Sequence, residues 1–118
     1  MKNHKRLMRI NDEIMKELSE ILRSGELKDP RIGKITTVMR VDTSNDLKHC
    51  MVRIGVLGGE EDKAGVLEGI KSAAGYIRKL IAERIDLRQT PAFQFILDDS
   101  VEYSIKMAEL IKQHNETT

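Results

Sequence analysis

The stretch SAAGYIRK, residues 72–79, sets a glycine inside what otherwise reads as the middle of an amphipathic helix. Upstream, Val66, Leu67, Ile70, Ala73 and Ala74 fall on one helical stripe; downstream, Ile77, Leu80, Ile81 and Ile85 fall on another. Glycine in a helix interior costs about 1 kcal/mol relative to alanine. It is also one of the few recognised causes of a bent helix. The stretch therefore predicts two short helices joined at an elbow of small residues, Ala73, Ala74 and Gly75, rather than one rod. Small side chains at 73 and 75 would let both backbones approach a sheet at a sharp angle, so Gly75→Leu is expected to damage the fold.

On the N-terminal side of the elbow, Leu7, Ile10, Ile14, Leu18 and Ile21 give a long helical stripe, widened by Met8, Met15 and Leu22. Ser24 and Gly25 are expected to end it, the glycine in the left-handed cap conformation. The Asp29-Pro30 pair imposes an extended or turn geometry. From Ile32 to Val41 the period becomes two: Ile35, Thr37, Met39 and Val41 share one face, and Thr36, Val38 and Arg40 the other. After the turn cluster TSNDL, residues 49–57 alternate again, with Cys50, Val52, Ile54 and Val56 together; the two runs read as a β-hairpin. Beyond the elbow, Thr90-Pro91 ends the helical region, and Phe93, Phe95 and Leu97 mark a third strand. The acids Asp98 and Asp99 then favour the start of a last helix, capped by Ser100 and carrying Ile105, Met107, Ala108, Leu110 and Ile111; HNETT is expected to fray.

Three strands with helices on one face make an α+β sandwich. The order helix-strand-strand-helix-kink-helix-strand, plus a C-terminal helix, is that of the type II KH fold, an RNA-binding module. Residues 1–100 form the expected KH-like domain, and residues 101–118 the C-terminal helix and tail. A KH domain clamps nucleic-acid backbone with a GXXG loop between its central helices. Here the string Gly55-Val56-Leu57-Gly58 closes the second strand instead and reads as a strand exit.

Composition limits what such a domain can be. The chain has 118 residues, 40% hydrophobic and 33% charged, with a net charge of +1, so affinity for a polyanion must come from where the charges lie. One cysteine, Cys50, excludes an internal disulfide and suits a reducing cytoplasm. No run approaches a membrane span, and the basic start lacks a signal-peptide core.

The elbow closely resembles ribosome-binding factor A, a family with an Ala-x-Gly junction in place of the GXXG loop, matched by Ala73 and Gly75. The match continues through Ile77-Arg78, Leu87-Arg88, Thr90-Pro91, Phe95 and the DDS of residues 98–100. Upstream it includes Asp46-Leu47-Lys48 with Val52, Ile54 and Val56. After Ser100 the sequence departs from the family pattern. The resemblance implies a non-catalytic assembly factor that binds the small (30S) ribosomal subunit precursor late in maturation. It further implies action on 16S rRNA near its 5′ helix and the decoding region, a role in rRNA processing and in cold adaptation, and release with other assembly factors including a ribosome-associated GTPase. A cytoplasmic monomer without cofactor or membrane attachment is expected. The alternative is a KH-like protein-interaction domain without RNA binding, compatible with the misplaced GXXG and the near-zero charge.

Two basic clusters are the candidate RNA contacts. Lys2, Lys5, Arg6 and Arg9 precede any acid and oppose the helix macrodipole, so folding does not favour them there. The second cluster is Lys71, Arg78, Lys79, Arg84 and Arg88. Arg84 falls inside the apolar stripe and either snorkels past the core edge or marks the helix end; Lys79 projects on the opposite face. Aromatic stacking is disfavoured, because Phe93 and Phe95 read as core and only Tyr76 and Tyr103 remain. No catalytic set assembles: His4, His49 and His114 have no metal-binding spacing, and Cys50 reads as a buried hydrophobe. A magnesium site at Asp98-Asp99 is the weaker reading beside the helix start.

Overall fold

A computed structural model describes residues 2–32 and 36–117. Helix α1 (Lys2–Ser24) leads through a single 3-10 turn (Pro30–Ile32) into strands β1 (Thr36–Thr43) and β2 (His49–Val56). Helices α2 (Glu60–Ser72) and α3 (Ala74–Arg84), strand β3 (Ala92–Leu97) and helix α4 (Ser100–Thr117) follow.

The sheet order is β1-β2-β3, with β1 antiparallel and β3 parallel to β2. Parallel neighbours require a crossover, and α2 with α3 supplies it. All helices that pack do so on one face. On β2, Cys50, Val52, Ile54 and Val56 are buried while His49, Met51 and Arg53 are exposed. The α1 stripe closes the core with Ile10, Ile14, Leu18 and Ile21; α2 adds Val66 and Ile70, and α3 adds Ile77 and Ile81. Phe93 and Phe95 stack side by side beneath them, their ring centroids 6.2 Å apart. Among the described residues no polar or charged side chain is buried in this core.

Strict alternation fails on β1. Val38 and Val41, assigned to opposite faces by period two, are both buried, because the pairing register jumps between Val38 and Arg40. A bulge inserts one extra residue, here Met39, and resets which side chains face the core. Ile35 lies outside the described residues.

Gly25 and Gly69 are both fixed by geometry. Gly25 takes φ 77° just past the end of α1, the left-handed cap that halts the helix. Gly69 lets α2 press against the 3-10 turn: a Cβ there would sit 3.0 Å from Ile32 Cγ1 and 3.2 Å from Asp29 Oδ2. That turn is itself tied down, since both Asp29 carboxylate oxygens accept hydrogen bonds from Arg31 at 2.6–3.1 Å.

The GXXG string does close a strand, β2 ending at Val56 and Gly59 preceding α2. At the other end, α4 starts one residue earlier than Ser100 capping requires. Asp99 holds the cap position, its carbonyl accepting the Tyr103 N–H at 2.9 Å. The helix is continuous to Thr117, through residues 114–117 of the HNETT stretch for which fraying is expected; Thr118 lies outside the described residues. None of the helix's described side chains belongs to the core, and Tyr103, Leu110 and Ile111 on it are exposed.

Candidate nucleic-acid interface

The elbow is one residue wide. Ala73, at φ −90° and ψ 2°, ends α2 by donating its N–H to the carbonyls of Gly69 and Ile70 at 3.1 Å each. Its own carbonyl accepts from Ile77 at 2.8 Å and so opens α3. Ala73 and Ala74 pack half-buried against the core. Gly75 does not: a Cβ built on it meets nothing within 4 Å, and its backbone is not left-handed. The expectation that Gly75 must be small for the helices to approach the sheet is therefore corrected. The bend belongs to Ala73 and the close approach to Gly69, while Gly75 leaves a bare backbone step on the outer surface.

Beside this step lies a shallow groove of about 390 Å³ between Lys71 and Ala74 on one side and residues 93–96 of β3 on the other. Because β3 pairs only with β2, its outer edge is open toward this groove. Lys71 and Lys79 are exposed and have no ion-pair partner among the described residues.

The remaining cations converge on the hairpin end of the sheet. Asn11 accepts the Thr43 N–H at 3.0 Å, which sets the first turns of α1 beside the end of β1. Lys5, Arg6 and Arg9 on those turns are exposed; the Lys2 side chain lies outside the described residues. Arg78 donates from Nη2 to the Thr90 carbonyl at 2.9 Å, anchoring the loop before β3 while keeping its charge. Arg88 is exposed in that loop, which returns to the same end because the Ala92 N–H donates to the Lys48 carbonyl at 2.9 Å. Lys48, absent from the candidates chosen by sequence, joins them through an ordered turn. Asp46 accepts from the Ser44 hydroxyl at 2.7 Å and the Lys48 N–H at 3.0 Å, which lowers its pKa. The only sequence signal for Lys48 was its place in the quoted Asp46-Leu47-Lys48 motif.

Arg84 is not among the free cations. Its Nη2 sits against both carboxylate oxygens of Glu26, and its Nη1 lies 3.6 Å from Glu17. Both acids raise its pKa, Glu26 the more strongly. Arg84 thus ties the end of α3 to α1 and to the segment after it. Arg40 and Arg53 face each other across β1 and β2 on the uncovered side of the sheet, Arg40 held by Asp42 at 2.8 Å. Among the described residues no three His, Cys, Asp or Glu side chains are placed to hold a metal, and no helix is long and apolar enough to cross a membrane.

A three-stranded mixed sheet with helices on one face, an elbow in place of a loop and cations gathered at one end define a type II KH-like α+β protein. The ribosome-binding factor A profile matches residues 6–111. The chain is 49% identical over 115 residues to ribosome-binding factor A of Lachnospira eligens, covering 98% of this chain and 88% of that one. It is 48% identical to that of Agathobacter rectalis, covering 95% and 92%. The chain belongs to the ribosome-binding factor A family. Its fold is similar to a candidate ribosome binding factor A from Thermotoga maritima, with TM-score 0.68 and 33% identity over 77% of this chain and 85% of that one. A homology model of the Thermus thermophilus factor, fitted into a cryo-EM map of a 30S complex, shares the fold at TM-score 0.55 and 24% identity, covering 74% of this chain and 93% of that one.

Proposed function

We propose that this chain is a non-catalytic assembly factor that binds the small ribosomal subunit precursor through the phosphates of 16S rRNA. The observation that carries this reading is the convergence of Lys5, Arg6, Arg9, Lys48, Arg78 and Arg88 on the hairpin end in a protein whose net charge is only +1. Membership of the family and the placing of the Thermus factor in a 30S complex support the choice of partner. By binding one rRNA arrangement better than another, the protein shifts the RNA toward it, and no chemistry is needed. In this reading it acts as a cytoplasmic monomer late in maturation, assists 16S processing, matters most in the cold, and leaves with the help of a GTPase and other factors.

The test is binding to purified immature small subunits as a function of salt. With about five phosphate contacts, log affinity should fall against log salt with a slope near −4 to −5. Replacing Lys5, Arg6 and Arg9 together with alanine should flatten that slope by about 3. A flat response in the unaltered protein would refute the proposal. The rival reading, a protein-interaction domain, draws on the exposed Tyr103, Leu110 and Ile111 of α4. It predicts that the protein fails to sediment with small subunits, immature or mature.

A further inference from the structure

The two alanines of the elbow face different spaces. Ala74 lines the groove against β3, whereas Ala73 and Tyr76 line a second, open cleft against the segment between α1 and the 3-10 turn. That cleft has a volume of about 610 Å³ and is bounded across from Tyr76 by Glu26, Lys28, Asp29 and Pro30. The volume is of the size that holds small organic ligands. Tyr76 is 50% exposed. The ring stands uncovered in a chain with only two tyrosines, two phenylalanines and no tryptophan.

The rim is equally specific. Both acids of the cleft are already charge-balanced, Glu26 by Arg84 and Asp29 by Arg31 at 2.6 Å. Paired in this way, neither repels a nearby phosphate as a free carboxylate would. Arg31 already fills the Asp29 carboxylate with four hydrogen bonds at 2.6–3.1 Å, so Glu26 is the acceptor left at the rim. Lys28 is exposed and unpaired among the described residues, leaving one cation at the mouth. Next to the ring, Gly75 offers backbone with no side chain in the way of an approaching strand.

We propose that the cleft between Tyr76 and residues 26–30 receives one unpaired RNA base, stacked on the Tyr76 ring, with its amino-bearing edge toward the Glu26 carboxylate. The strand would cross the bare step at Gly75, and Lys28 would meet the adjoining phosphate. Splayed bases stacked on aromatic rings and read along their edges are the usual means of recognising single-stranded RNA. A carboxylate beside the stacked base favours adenine, cytosine or guanine, whose exocyclic amino groups can donate to it, over uracil, which offers only its ring N3–H. The assignment rests on the RNA-binding reading above and adds a base-specific site to its phosphate contacts.

The test uses the full chain and immature small subunits. Tyr76→Ala should weaken binding by roughly 5- to 150-fold, the range set by loss of one base stack. Its salt slope should stay unchanged, because no phosphate contact is lost. Tyr76→Phe, which keeps the ring, should bind within about twofold of the unaltered protein. Thermal unfolding of both variants checks that the fold persists. A readout independent of truncation comes from Tyr103→Phe, which leaves Tyr76 as the sole tyrosine. Its fluorescence should be quenched by a short oligoadenylate, less by oligouridylate, and not by an abasic strand of equal charge. Equal binding by Tyr76→Ala, equal loss in Tyr76→Phe, or equal quenching by the abasic strand would each overturn the cleft assignment. If the unaltered protein shows steep salt dependence and Tyr76→Ala binds normally, only this site falls. If the unaltered protein ignores the subunits, the proposed function itself falls.

Discussion

Gly69 and Gly75 are six positions apart on adjoining helices, yet their reasons for being small differ. At 69 an added Cβ would meet Ile32 Cγ1 at 3.0 Å and the Asp29 carboxylate at 3.2 Å, against a turn pinned by Arg31. Gly69→Val should therefore overpack the α2 contact and cost about 1–3 kcal/mol. At 75 there is nothing to meet, and Gly75→Ala should raise stability by about 0.5–1 kcal/mol through helix propensity. Urea midpoints of the two variants should move in opposite directions. If Gly75→Ala proved the more damaging, the assignment of the close approach to Gly69 would be wrong.

The elements differ in how much of their structure comes from packing. Helix α1 buries Ile14, Leu18 and Ile21 almost completely, and large-to-small changes there should cost about 2–5 kcal/mol each. Helix α4 is the opposite case. The chain's radius of gyration is 16.6 Å, against about 13.5 Å for a compact chain of this length, as expected if one element stands away from the rest. A chain ending at residue 99 should unfold within about 0.5 kcal/mol of the full protein, because residues 103–115 of α4 lie outside the core. A shift several times larger in chemical denaturation would mean that α4 is part of the folding unit. The β1 bulge belongs to this scale too. A 10-residue alternation is legible in the sequence, but the extra residue at Met39 is not, because nothing local marks where the register slips.

At the scale of the molecule, Asp29 and Asp46 on the acid side and Cys50 on the alkaline side make stability depend on pH. The Asp29 carboxyl is lowered from 3.8 to about 2 by the Arg31 hydrogen bonds. Its contribution is therefore complete above pH 3.8 and is lost as pH falls toward 2. Burial raises the Cys50 thiol from 9.0 to about 11. The neutral thiol is favoured in the fold, so this contribution is present below pH 9 and is lost as pH rises through 11. Unfolding midpoints across pH should hold a plateau between these limits. For a Cys50→Ala variant the alkaline decline should shift or shrink, whatever its overall stability.

The sequence by itself determined what depends on near neighbours along the chain. The α1 stripe, the buried faces of β2 and β3, the left-handed stop at Gly25 and the break in the central helix all follow from spacings of two to four residues. The family, too, was legible in motifs such as Thr90-Pro91 and the DDS of residues 98–100. Only the tertiary structure decided which cations are free and which small residues are constrained. Arg84 and Arg88 look alike in sequence, but Glu26 lies 58 residues from Arg84 along the chain and neutralises it, while Arg88 stays exposed. Likewise Tyr76 looked like one aromatic among few, until the segment of residues 26–30 was found facing it across an open cleft. Such pairings are set by how α1, the elbow and the sheet approach one another, and no local periodicity encodes that distance.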